Sequence, residues 1–294
     1  MSAASGLGRT ARCSRSARLR YGTGLLLCGC CLLPVSPPGA KVAIADSGSG
    51  LRSVDEARDA KQNPLSALRS VYFQNSYGHE PNGAVDIFSI QPVWPFRLGE
   101  DWRLITYTIV PFGTVQSPVP GGGRISGLGN VLFNGFIRPN SEGPVSWGIG
   151  PALQLPTRTD PLLGSSSVSI GPTAVVYAKS GAVSAGAVVQ NLWSLGSSGP
   201  DSVNELGIQY ILGYDLPDGW FLESNATVSA DWLAAPGDRW LVPVGGGIGK
   251  VFQIGHGPWF YSASVQGFYN AYRPNGAPTW EAVAQFQIIF SLPD

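Results

Sequence analysis

Over residues 71–292 the chain changes polarity every second position, in runs of about eight to thirteen residues separated by Gly, Pro, Asn and Asp. The last run shows this best. Trp280, Ala282, Ala284, Phe286, Ile288, Phe290 and Leu292 take one phase; Glu281, Gln285 and Gln287 take the other. Between residues 220 and 232, Trp220, Leu222, Ala226, Val228 and Trp232 alternate with Glu223, Asn225, Thr227, Ser229 and Asp231. A third such face is Leu206, Ile208, Tyr210, Leu212 and Tyr214. Period two sends alternate side chains to opposite faces of a sheet. The pattern predicts twelve strands: 71–77, 84–96, 102–112, 128–138, 145–156, 167–178, 182–193, 204–215, 220–231, 240–253, 259–270 and 280–292.

Alternation alone also suits a soluble sandwich, so the connections decide. Links after even strands are short: RLGED (97–101), PNSEGP (139–144), KSG (179–181), LPDG (216–219) and IGHGP (254–258). Their residues suit tight turns. Most links after odd strands are longer: 113–127, 157–166, 194–203, 232–239 and 271–279, with 78–83 the shortest. Short turns at one end and long loops at the other describe an all-β, transmembrane, antiparallel up-and-down barrel. Trp94, Trp102, Trp193, Trp220, Trp232, Trp240, Trp259 and Trp280 fall near strand ends, with Trp147 slightly inside, as interfacial girdles require. Closure also satisfies every backbone polar group at membrane depth.

Composition agrees. Charged residues make up 13% of the 294, about half the usual ~25% of a soluble domain. After residue 40 no apolar run reaches the ~18 residues of a membrane-spanning helix.

The first 45 residues read as a secretory signal: five arginines (Arg9, Arg12, Arg15, Arg18, Arg20) without an acid, then GTGLLLCGCCLL, then small residues. Cleavage after Ala45 fits better than after Ala40; a retained anchor helix and a lipidated leader are the alternatives. All four cysteines (Cys13, Cys28, Cys30, Cys31) lie in this leader, so residues 46–294 offer neither disulfide nor thiolate metal site. Residues 41–294 hold 14 of the 19 basic groups against all 19 acidic ones, a net charge of −5. That gives no electrostatic reason to bind nucleic acid.

Residues 46–70 have the chain's only helical texture, VDEARDAKQ before Pro64. They predict a short helix in a periplasmic lead-in rather than a plug in the pore, with the barrel proper occupying 71–294.

Enzyme chemistry is sparse. The two histidines, His79 and His256, fall at opposite barrel ends, and neither a G-x-S-x-G elbow nor an H-E-x-x-H motif occurs. Ser76 with His79 is a nominal hydrolase pair lacking an acid. The glycine-rich GDRWLVPVGGGIGKVF (237–252) fails the phosphate-loop pattern at Val244 and Val251 and reads as a strand. No catalytic residue, metal ligand or cofactor is assigned. Polar strand faces predict a wet lumen lined by Asp86, Gln91, Gln209, Glu223, Asn225, Thr227, Asp231, Lys250, Glu281, Gln285 and Gln287. Carboxylates there either bias a pore towards cations or pair with Arg103, Arg138 or Lys250. Loop 113–127, GTVQSPVPGGGRISG, is either a surface loop or an inward constriction.

The runs AKQNPLSALRSVYFQN (60–75), FSIQPVWPFRLGEDWRLITYTIVPF (88–112), GLGNVLFNGFIRP (127–139), GIGPALQLPTRTDPLLG (148–164), QNLWS (190–194) and GDRWLVPVGGGIGKVF (237–252) resemble a bacterial family of outer-membrane barrels. That family goes under the label "transporter", is often misnamed "neuromedin U", and is broadly akin to barrel proteins of phenol-degradation pathways. The resemblance spans residues 56–292; the cysteine-rich leader and the terminal FSLPD depart from it. It implies an outer-membrane barrel passing small solutes, with no catalytic residues to transfer. The expected function is passive passage of small solutes, hydrophobic and aromatic compounds among them. The expected partners are outer-membrane lipid, the barrel-assembly machinery and the solute. A lipid-modifying outer-membrane enzyme and a closed, non-conducting barrel are the competing readings.

Overall fold

The computed structural model describes residues 51–290, apart from 52, 81–82, 118–121, 141–142 and 197–200. The leader and its cleavage site lie outside the described residues.

Alternation becomes strands wherever it was expected. One helix, α1 (Val54–Gln62), precedes β1 (Arg69–Glu80), β2 (Gly83–Leu98), β3 (Trp102–Gln116), β4 (Arg124–Leu128), β5 (Val131–Pro139), β6 (Val145–Leu155) and β7 (Ser169–Ser180). Then follow β8 (Val183–Ser194), β9 (Asn204–Asp215), β10 (Trp220–Asp231), β11 (Trp240–Phe252), β12 (Trp259–Tyr272) and β13 (Trp280–Phe290). Apart from β4 and β5, each strand pairs antiparallel with its chain neighbours, and β13 returns to β1 through eleven pairs from Arg69↔Phe290 to His79↔Trp280. β4 and β5 both pair with β3 and form one stave, so the barrel closes with twelve. Pro111 has no N–H to give the ladder, and its carbonyl instead accepts from Gly129 N at 2.9 Å, where β4 ends.

Two expectations change here. Residues 113–127 are largely wall rather than loop. β3 and β4 extend the hairpin through Phe112↔Leu128, Gly113↔Gly127, Thr114↔Ser126, Val115↔Ile125 and Gln116↔Arg124. Paired backbone cannot swing inward as a constriction; the tip, 118–121, lies outside the described residues.

The second change concerns the lead-in. Ser53 caps α1 by accepting from Glu56 N at 3.1 Å, but the helix does not stay outside the barrel. Ala57 is fully buried in a cluster with Phe221, Val251, Phe260 and Ile289 from the inner wall. Leu65, also fully buried, packs with Val93, Ile105, Phe136, Val175 and Val188. The lead-in crosses the short-turn end of the lumen because its small and apolar positions complete these inward-facing clusters.

The outer surface is apolar at mid-height, with Ile149, Leu212, Val244 and Val265 each more than half exposed. Tryptophans ring it at both ends. Trp102 and Trp147 meet edge-to-face at the short-turn end, and Trp232 and Trp240 do so at the long-loop end. Such a band between girdles is the surface of a transmembrane barrel.

β10 and β11 pair at both ends but not between Glu223↔Gly247 and Ser229↔Leu241. Pro243 has no N–H here, and the register against β12 shifts between Val242 and Pro243. Side chains span the gap instead: Ser224 Oγ donates to Gly245 O at 2.6 Å and Tyr210 Oη to Pro243 O at 3.1 Å.

Candidate functional site: the lumenal cavity

Inward positions of β1, β2, β3, β9, β10, β12 and β13 meet around a cavity of about 170 Å³, floored at the short-turn side by Lys61, Gln62, Asn63, Pro64 and Ser66. Gln91, Gln209, Glu223, Asn225, Thr227, Glu281 and Gln285 line it, as their strand phases predict. Their amides interlock. Gln209 Nε2 donates to Asn225 Oδ1 at 2.9 Å, Gln285 Nε2 to Gln74 Oε1 at 3.1 Å, and Tyr107 Oη to Gln91 Oε1 at 2.6 Å. Tyr72 and Tyr107, edge-to-face at 6.5 Å, separate this wet half from the apolar packing beside it.

Gln287 and Asp231 are buried in the wall but lie outside the cavity lining. Asp231 Oδ1 accepts from Leu233 N at 2.9 Å, fixing the start of the β10–β11 loop.

Two of the predicted lumen residues are outside. Asp86 pairs across the strands with Tyr77 and Thr114 on the outer face, and accepts from Asn75 Nδ2 at 2.6 Å. It sits an odd number of residues from Gln91 on one unbroken strand, so the two cannot share a face. Lys250 pairs with Trp220 and holds its ammonium 4.9 Å from the indole centroid. Both lie within three residues of a strand end, where an outward charge reaches water and headgroups at little cost.

The cations that do meet lumenal acids come from elements the alternation did not flag. Lys61 of α1 donates to Glu223 at 2.5 Å with both side chains almost wholly buried, and its ammonium lies 4.2 Å from the Phe221 centroid. Asp215 receives Arg58 at 3.2 Å, Lys179 at 2.5 Å and Gln62 Nε2 at 2.9 Å. Lys179 also reaches Asp59. Arg138 donates from its guanidinium to Leu65 O at 2.7 Å. Apart from Lys179–Asp215, which joins β7 to β9, these contacts tie the lead-in to the wall. The signal for them in the sequence was charge complementarity: basic groups at positions 58 and 61 beside a barrel with inward acids at 215 and 223.

Ser76 lines the cavity, whereas His79 pairs with Trp280 on the outer face and stacks on its ring at 6.4 Å. The wall stands between the two, so they form no dyad. Among the described residues no group of three or more His, Cys, Asp or Glu is placed to hold a metal.

No family model matches the chain, and no curated protein does. Among solved structures the chain is similar to an outer-membrane channel from Pseudomonas putida F1, at 16% identity and a TM-score of 0.55, covering 76% of this chain and 94% of that one. The NanC porin aligns over 75% of this chain and all of its own, at 8% identity and a TM-score of 0.45. The CymD monoaromatic hydrocarbon channel aligns over 81% and 93%, at 8% identity and a TM-score of 0.43. At these identities the likeness to the Pseudomonas channel is one of fold.

Proposed function

We propose that the protein is an outer-membrane channel for passive passage of small solutes, hydrophobic and aromatic compounds among them, exported by a leader ending near residue 45. The observation that carries this is a polar cavity inside a closed wall whose outer face is apolar. A barrel built only as a scaffold has no need of an amide-lined cavity inside its wall. The cavity's size supports small cargo: about 170 Å³ is close to the ~150 Å³ cavity that accepts benzene in another protein. Passage needs no cofactor; solutes exchange hydration for the amides of Gln74, Gln209, Asn225 and Gln285. Outer-membrane lipid against the apolar band and the barrel-assembly machinery are the partners this reading requires, with no role for nucleic acid.

A closed barrel is the second reading, favoured by the helix across the short-turn end and its buried Lys61–Glu223 pair. Recording from purified full-length protein in planar bilayers separates the two. Discrete conductance steps are the expected result; silence from the native chain and from a Glu223→Gln variant leaves the closed barrel standing.

A further inference from the structure

We propose that Glu281 makes the lumenal cavity cation-selecting, so that small organic ammonium ions enter in preference to carboxylates of the same size; this rests on the channel reading above. Apart from tyrosines, the cavity lining contains three ionisable side chains: Lys61, Glu223 and Glu281. The first two neutralise each other at 2.5 Å. Glu281 has no such partner: its hydrogen bond is with Ser76, and among the described residues no cation forms an ion pair with it. Glu281 is therefore the one carboxylate of the cavity lining without a paired cation among the described residues.

Its surroundings suit a cation. Phe268 is its direct cross-strand partner in β12 and lines the same cavity, placing an aromatic ring next to the carboxylate. A carboxylate beside an aromatic ring is a recognition pair for ammonium groups. Gln74, Gln209, Asn225, Thr227 and Gln285 also line the cavity and offer neutral hydrogen bonds to the rest of a solute. An anion meets the opposite situation. Of the other cations at the short-turn end, Arg58 and Lys179 are engaged with Asp215 and Asp59, Arg138 donates to Leu65 O, and none lines the cavity. An entering carboxylate would lose hydration and gain no counter-charge.

The test uses the full chain in planar bilayers under a potassium chloride gradient, then with benzylammonium or benzoate as the permeant ion. The reversal potential is expected to show cation preference, and benzylammonium to pass ahead of benzoate. In Glu281→Gln the cation-to-anion ratio should fall on the order of fivefold, the effect of one unit charge at contact distance in a water-like medium. Glu281→Asp should keep the preference, which separates loss of charge from loss of fold. Lys250→Gln, on the outer wall, should leave it unchanged. An unselective or anion-selective wild type, or a preference that survives in Glu281→Gln, overturns the proposal while the channel reading stands. A native chain without current removes both.

Discussion

Gly249 has no side chain because Phe221 occupies the space: a Cβ built there would lie 2.3 Å from the phenyl Cζ and 2.6 Å from Ser264 Cβ. Phe221 in turn is fully buried against Ala57 and Val251. The glycine run that resembles a phosphate loop thus provides room for an aromatic wedge under the helix. Gly249→Val should destabilise the barrel by about 1–3 kcal/mol, the usual cost of overpacking, read as a lower temperature for loss of the heat-modifiable band on gels. Lys250, one residue on, should behave differently. Its ammonium–indole contact is at a solvent-facing strand end, so Lys250→Ala should change stability by less than about 1 kcal/mol. Asp86 and Lys250 show the limit of reading single residues. Charge alone does not mark the inside, because the cost of an outward charge depends on depth and nearly vanishes at the rims.

At the scale of the element, α1 is a helix whose position its own sequence does not state. Nine residues cannot hold a helix alone in water. The stability of α1 comes from Ala57 and Lys61, which share one face and meet the wall. Breaking one side of a buried ion pair costs about 3–5 kcal/mol, whereas replacing both partners by apolar groups is close to neutral. Glu223→Gln should therefore loosen the helix and raise the mean conductance. The double variant Lys61→Met with Glu223→Leu should restore the low-conductance state, which single-channel recording of both variants would check. The β3–β4 extension teaches the complementary lesson. Gly, Pro and Ser in 113–127 read as a loop, but the ladder from Phe112↔Leu128 to Gln116↔Arg124 overrides local preference by pairing backbone groups across the wall.

For the whole molecule, closure converts twelve separate alternations into one inside and one outside. Neither surface belongs to any strand alone. The assignment is open to direct test, since every cysteine of the chain falls at or before residue 31. A reporter thiol at Gln285→Cys should react with a water-soluble maleimide in membranes, and one at Ile248→Cys only with a membrane-soluble reagent. The reverse order would place the wall inside out.

The sequence by itself determined the strand number, most of the inward and outward faces, and which end carries the short turns, because period-two alternation, turn chemistry and tryptophan spacing are local properties that survive in one dimension. It also placed nine of the eleven predicted lumen residues on the inner side, seven of them lining the cavity. Only the tertiary structure decided where α1 goes, which acids are neutralised, and that Glu281 is the cavity carboxylate without a cation. Those outcomes depend on groups as far apart in the chain as Lys61 and Glu223, 162 positions, and pairing over that distance is fixed by the closed wall rather than by any local pattern.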